Sequence, residues 1–162
     1  MIYCIVAVEN NQGIGFNGQM PWPRLAADMK WFKDSTSDNI IVRGATTWKS
    51  LGKKLSNRLN VVISSNLQVL ADLTYSDPVD AIKELPARYS KKDIYIIGGQ
   101  KLYDSVKELF DIFYVTEIDA DYECDTFFDL NYVKETCNDV KELLHCDSTE
   151  TTPAYTIREY KK

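Results

Sequence analysis

One carboxylate in this chain stands where an acid is costly. Asp28 lies in the run GIGFNGQMPWPRLAADMKWF, Gly13 to Phe32. Leu25, Met29 and Phe32 fall at i, i+4 and i+7, which is one face of a helix, and Asp28 sits at the edge of that face. An acid pointed toward apolar neighbours either finds a buried partner or has its pKa raised, and such acids concentrate where chemistry is done. An acid in a first helical turn also suits the helix dipole while facing water, so Asp28 alone leaves both readings open.

Two further stretches could hold an anion. Ile40-Ile41-Val42 reads as a short buried strand and is followed by Gly44 and Thr46-Thr47-Trp48-Lys49-Ser50; Asp93 to Ile97 reads as another, followed by Gly98-Gly99 and a helix over Gln100–Phe110. A strand, a glycine and a helix start together offer free backbone N–H groups, and glycine lets a pyrophosphate approach the backbone. At Gly44 a tight turn with threonine caps fits equally well. A third glycine run, Gly13 to Gly18, nearly spells G-x-G-x-x-G. No helix follows it, because Met20-Pro21-Trp22-Pro23 intervenes, so a dinucleotide fingerprint is rejected there. Lys53, Lys54 and Arg58 form a basic connection that reads equally as solvated charge.

With their spacing, these pieces resemble one family, the dihydrofolate reductases. The matching residues are Ile14-Gly15, Met20-Pro21-Trp22, the acid Asp28 six positions after the tryptophan, and Phe32 a turn later. The resemblance continues through Gly44-x-x-Thr47-Trp48-x-Ser50, Ile97-Gly98-Gly99 with Tyr103, and Asp125-Thr126-x-Phe128, and weakens in the last thirty residues or so. It implies reduction of 7,8-dihydrofolate to tetrahydrofolate with NADPH as cofactor, in support of one-carbon metabolism and thymidylate synthesis.

The resemblance also implies roles. Asp28 would accept hydrogen bonds from the pterin and favour protonation of its N5 by water, with Thr116 reaching Asp28 directly or through water and Trp22 beside them as catalytic residues. Val6, Ala7, Met29, Phe32, Leu51 and Leu55 would line the pterin and aminobenzoyl pocket. Arg58 would clamp the substrate's α-carboxylate, for which a planar bidentate group suits better than lysine. Ala7, Ile14, Gly15 and Met20 would surround the nicotinamide, under a loop from Glu9 to Gly18 that closes over it. Ile97, Gly98, Gly99, Gln100, Lys101, Leu102 and Tyr103 would receive the pyrophosphate side, joined by Gly44, Thr46, Thr47, Ser50, Ser64, Ser65 and Thr126. Ala45 stands where many members carry an arginine that grips the 2′-phosphate. The Gly98–Gly99 peptide is expected to be cis. Two other readings stay open: the pyrimidine reductase of riboflavin synthesis, which lacks the Pro-Trp and helix-acid pattern, and a folate- or nucleotide-binding protein without turnover.

Composition bounds the rest. The 162 residues suit one domain spanning 1–162, and 44% hydrophobic with 27% charged residues describes an ordinary globule. A net charge of -5, from 24 acids against 19 bases, argues against nucleic-acid or anionic-membrane partners and leaves a small-molecule substrate. Cys4, Cys124, Cys137 and Cys146 show no zinc spacing, and His145 is the sole histidine, so free thiols in the cytoplasm are expected, with a monomer as the default. Apolar runs mark strands at Met1–Val8, Asn60–Ser65 and Ile112–Ile118, with a short one at Leu73–Tyr75 inside an irregular stretch from Asn66 to Asp77. Helices are expected at Leu25–Ser35 and, opened by Pro78, at Val79–Leu85; two antiparallel strands close the chain around Val140–Cys146 and Tyr155–Tyr160. The fold class is α/β: a mostly parallel central sheet of about eight strands, helices on both faces and an antiparallel C-terminal edge.

Overall fold

The computed structural model describes residues 1–66 and 69–162; the irregular reading at Leu67 and Gln68 lies outside the described residues. Ten strands form. They are β1 (Ile2–Val8), β2 (Gly13–Gly15), β3 (Ile40–Gly44), β4 (Leu59–Ile63), β5 (Leu73–Tyr75), β6 (Ile94–Gly98), β7 (Ile112–Ile118), β8 (Thr126–Phe127), β9 (Asp139–Cys146) and β10 (Tyr155–Lys161). Eight make one sheet in the order β5-β4-β3-β6-β1-β7-β10-β9, parallel from β5 through β7 and antiparallel at β10 and β9. The expected α/β architecture is therefore what the chain adopts.

β1 lies in the middle of the sheet, and its alternating side chains serve both layers. Cys4, Val6 and Val8 enter the main core with Ile40, Val42, Phe113 and Val115. Ile5 packs on the other face with Ile41 and Tyr95, against which Phe32 and Leu55 lie, while Ala7 packs beside Trp22, Leu25 and Ile118. Covering these faces are α1 (Ala26–Thr36), α2 (Ala45–Leu51), α3 (Pro78–Arg88), α4 (Gln100–Val106) and α5 (Leu130–Thr136). α3 opens with Pro78, and the Asp77 carboxylate accepts from the Val79 N–H at 2.8 Å. That helix runs past its expected end, through Pro86 to Arg88, because Ala81, Ile82 and Leu85 bury one face and hold it to the sheet. α4 is shorter than expected: regular turns stop at Val106 and a 3-10 turn, Lys107–Leu109, follows.

Two features depart from the expectation of plain loops. β2 and β8 pair as a small second sheet, with Gly15 opposite Thr126. After β8, α5 is capped by the Asp129 carboxylate, which accepts from the Tyr132 N–H at 3.0 Å, and it buries Leu130 and Val133. Among the described residues no helix is long and apolar enough to cross a membrane.

Candidate active site

α1 begins straight after Leu25, so Asp28 falls in its first turn, over the end of β7. There the Thr116 hydroxyl donates to Asp28 Oδ1 at 2.6 Å. Thr116 is itself buried, paired with Ala7 on β1 and with Ile157 on β10. Burial pushes the Asp28 carboxyl above its ordinary pKa, and the bond from Thr116 draws it back only in part. Trp22 is buried in the apolar cluster with Leu25, Ile118 and Tyr155, edge-on to Tyr122 at 6.1 Å between ring centroids. Its place beside Ala7 and Ala27 makes it a wall of the Asp28 site. The acid is thus enclosed by apolar groups and held by one hydroxyl.

The other residues expected to meet the substrate gather along the same side of the sheet. Phe32 and Leu55 pack on the Ile5–Ile41–Tyr95 cluster, and the Arg58 guanidinium stands 6.0 Å from the centre of the Phe32 ring. Arg58 is anchored by donating from Nε to Ser56 O at 2.9 Å and from Nη1 to Thr36 Oγ1 at 3.2 Å. Met20, Met29 and Leu51 keep about half of their surface exposed, apolar area of the kind that marks a ligand surface. Val6 differs from its expected part: its side chain points into the main core, on the opposite face from Ala7, so only its backbone is available to a ligand.

The glycine turns converge. The Gly98–Gly99 peptide is cis, as expected, and Gly98 has φ +134°. A Cβ at Gly98 would lie 3.3 Å from Thr47 Oγ1 and 3.6 Å from the Tyr103 hydroxyl; one at Gly44 would lie 3.8 Å from Gly98 O. Gly44, Thr47, Gly98, Gly99 and Tyr103 therefore form one cradle at the C-terminal ends of β3 and β6. No side chain caps the start of α2 at Ala45 or of α4 at Gln100, which leaves their first N–H groups to a phosphate. This cradle fits a dinucleotide pyrophosphate. Thr46, Ser65 and Lys101 are exposed around it, Ala45 and Ser64 are half-buried, and Ile97 packs on the Ile5 cluster. Leu102 turns its side chain into the main core, and Gln100 Oε1 accepts from Phe127 N at 2.8 Å.

The loop over the site is tied at several points. Ser50 Oγ donates to Gly18 O at 2.7 Å, which links α2 to the loop. Asp125 Oδ2 accepts from Asn17 N at 3.0 Å, and Asp125 N donates to Gly15 O at 2.9 Å, beside Thr126. Ile14 packs against the main core. Three residues to which sequence reasoning gave no role act here. Ile5 O accepts from the Tyr103 hydroxyl at 2.8 Å and so ties β1 to α4. Asp125 holds the loop. Glu9, buried, accepts from Asn11 N at 2.7 Å, Gly13 N at 2.6 Å and Tyr122 N at 3.2 Å. An acid next to a glycine-rich loop was the available signal for Glu9; Ile5 acts through its carbonyl and leaves no mark in the side-chain pattern.

Comparison with known proteins now decides the family. The sequence profile described as dihydrofolate reductase matches residues 1–162. The chain belongs to the dihydrofolate reductase family. It is 38% identical over 129 residues to the dihydrofolate reductase of Buchnera aphidicola (Acyrthosiphon pisum strain APS), covering 78% of each chain. It is 35% identical over 145 residues to the viral dihydrofolate reductase of Saimiriine herpesvirus 2 (strain 488), covering 79% of this chain and 68% of the relative. Its fold matches that of dihydrofolate reductase from Enterococcus faecalis complexed with NADP(H) and RAB-propyl, with a TM-score of 0.79 and 27% identity over 99% of this chain and 95% of that one. With the family comes its reaction: the chain is an NADPH-dependent oxidoreductase that reduces dihydrofolate.

Proposed function

We propose that Asp28 is the residue on which this reduction turns. Its carboxylate accepts hydrogen bonds from the pterin N3 and 2-amino group, and so orients the ring and favours protonation of N5 by water without delivering that proton itself. NADPH, when bound, supplies the hydride. Thr116 fixes the Asp28 carboxyl from behind, and Trp22 with Ala7 keeps bulk water from it. Phe32, Leu55, Met29 and Leu51 cover the pterin and aminobenzoyl groups, and Arg58 receives the α-carboxylate through the donors it does not spend on Ser56 and Thr36.

The cradle of Gly44, Thr47, Gly98 and Gly99 holds the pyrophosphate in this reading, with Gln100, Lys101, Leu102 and Tyr103 following it along α4. Ile14, Gly15 and Met20 close over the nicotinamide. The observation that carries the proposal is the 2.6 Å bond from Thr116 to a carboxyl whose pKa burial has raised. Loss of NADPH absorbance on adding dihydrofolate tests it: the wild type consumes NADPH, and Asp28→Asn at neutral pH does so far more slowly. Near-normal turnover by that variant removes Asp28 from the role.

The protein acts as a monomer and as a single domain, 1–162. The single domain is supported by a sheet whose strands interleave both halves of the chain. Four free cysteines support a reducing compartment, the cytoplasm. A net charge of -5 supports small-molecule partners over nucleic acid or an anionic membrane.

A further inference from the structure

Arg43 is the largest side chain to be fully buried among the described residues, a cation sealed inside an acidic protein. It stands on β3 two residues after Ile41, and so faces the side of the sheet that carries Phe32 and Leu55. Its Nη2 donates to Lys53 O at 3.0 Å and to Asn60 Oδ1 at 2.8 Å, and its guanidinium lies 4.5 Å from the centre of the Trp48 ring. Both hydrogen-bond acceptors are neutral, and Nε and Nη1 have no hydrogen-bond partner among the described residues. Burial and the nearby Arg58 cation lower its pKa to about 10, which leaves it charged at neutral pH. A buried charge met this incompletely is costly, so it calls for a role beyond packing.

Its partner shows what the role is. Asn60 is also buried, and every hydrogen-bonding site of its side chain is used. Oδ1 accepts from Arg43 and from Leu55 N at 2.8 Å, while Nδ2 donates to Leu55 O and to Arg58 O, both at 2.9 Å. Arg43 adds the carbonyl of Lys53. Two side chains therefore fix the backbone of the segment from Lys53 to Arg58 at three residues. That segment carries Leu55 and Arg58, the residues assigned above to the aminobenzoyl group and the carboxylate.

We propose that Arg43 and Asn60 are positioning residues for substrates that carry a glutamate tail. They hold the Lys53–Arg58 segment so that Arg58 meets the tail carboxylate, and Arg43 adds buried positive charge behind that clamp. Arg43 and Arg58 repel each other until an anion arrives, so binding of the tail relieves a tension that a tail-less substrate leaves in place. The proposal rests on the assignment of Arg58 as the carboxylate clamp.

The test compares dihydrofolate with 6-methyl-7,8-dihydropterin, which lacks the aminobenzoylglutamate. Arg43→Met raises KM for dihydrofolate roughly tenfold and changes kcat by less than about twofold, while KM for the dihydropterin stays within about twofold. The rise in KM for dihydrofolate with salt also becomes shallower in this variant, which loss of packing alone does not produce. Equal rises in KM for both substrates, or no rise for either, overturn the proposal. If Arg43→Met does not fold, Arg43→Lys carries the same comparison, since it keeps the charge and part of the donor set and gives a smaller loss still confined to dihydrofolate. Arg58→Leu is measured alongside. A loss selective for dihydrofolate in Arg58→Leu but not at position 43 overturns this proposal alone; no selective loss in Arg58→Leu overturns the clamp and the proposal together.

Discussion

Thr116 Oγ1 donates to Asp28 Oδ1 at 2.6 Å, a bond that joins β7 to the first turn of α1 across 88 residues of chain. Through it the central sheet sets the position of the acid proposed to meet the substrate. Ala7, opposite Thr116 in the ladder, and Trp22, packed on Ala7, complete the enclosure.

Replacing that acid by its amide keeps the shape and removes the charge. Asp28→Asn is expected to bind substrate measurably and to slow hydride transfer at neutral pH by roughly a hundredfold or more, the usual weight of a positioned acid–base group. Activity returns in part as pH falls, because N5 of the substrate then protonates without help from a carboxylate. Rates of single turnovers between pH 5 and 9 check this; an unchanged pH profile contradicts it.

The same substitution has the opposite effect on stability. The folded-state pKa of Asp28 is raised, so the protonated acid is favoured in the fold, and the contribution it makes is present at low pH and lost as pH rises through the folded pKa. Where it is ionised, the half-buried carboxylate therefore weighs against folding. Asp28→Asn should raise Tm at pH 7 to 8, and the gain should vanish as pH falls below about 4, the unfolded value for aspartate. Thermal unfolding at several pH values reads it directly, and a lower Tm for the variant at pH 8 would count against the burial argument.

The glycine cradle separates two neighbours. Gly98 has φ +134°, a conformation that side chains rarely adopt, and a Cβ there would press Thr47 Oγ1 at 3.3 Å. Gly99 has φ −103°, ordinary for any residue, with a Cβ contact of 3.4 Å to the same atom. Gly98→Ala is expected to cost roughly 1 to 3 kcal/mol of stability and to weaken NADPH binding, whereas Gly99→Ala costs less in stability. Urea unfolding and fluorescence titration with NADPH compare them; equal losses at the two positions would show that the backbone conformation at Gly98 is not what limits it.

What could be read in the sequence follows from how locally each feature is written. The buried strands announce themselves through β-branched runs such as IYCIVAV, and the glycine turns through composition. Asp28 showed itself by standing at the edge of an apolar helix face. The pairing of β2 with β8 could not be read, because strands of three and two residues carry no period, and the contact joins positions more than a hundred residues apart. α5 was hidden by its seven-residue length and by Tyr132 and Val133, which favour strands; its Asp129 cap and two buried side chains outweigh that preference. Ile5 acts through a backbone carbonyl, and Val6 points away from Ala7 as strand alternation requires. The burial of Arg43 depends on Asn60 and Lys53, both distant in sequence, so the charge pattern alone suggests a surface residue.

That burial sharpens the question of cofactor choice. Many family members carry an arginine after the glycine at the place of Gly44, and this chain has Ala45. Arg43, the nearest cation in sequence, cannot replace it, because its guanidinium is sealed between Trp48, Lys53 O and Asn60 on the side of the sheet that carries Phe32 and Leu55. The groups left facing solvent near the cradle are the hydroxyls of Thr46 and Ser65 and the ammonium of Lys101, all exposed. One charge-assisted bond to a phosphate contributes roughly 1.5 to 3 kcal/mol, about tenfold or somewhat more in affinity, so its loss narrows a preference without abolishing it. NADPH is therefore expected to remain preferred over NADH, by a smaller margin than in a relative with the arginine, with Thr46, Ser65 and Lys101 meeting the 2′-phosphate. Measuring kcat/KM for both cofactors in the wild type and in Ala45→Arg decides it. The variant should gain about tenfold for NADPH and little for NADH. Equal use of the two cofactors by the wild type would show the preference lost, and no gain from the arginine would show that Lys101 or another group already fills its place.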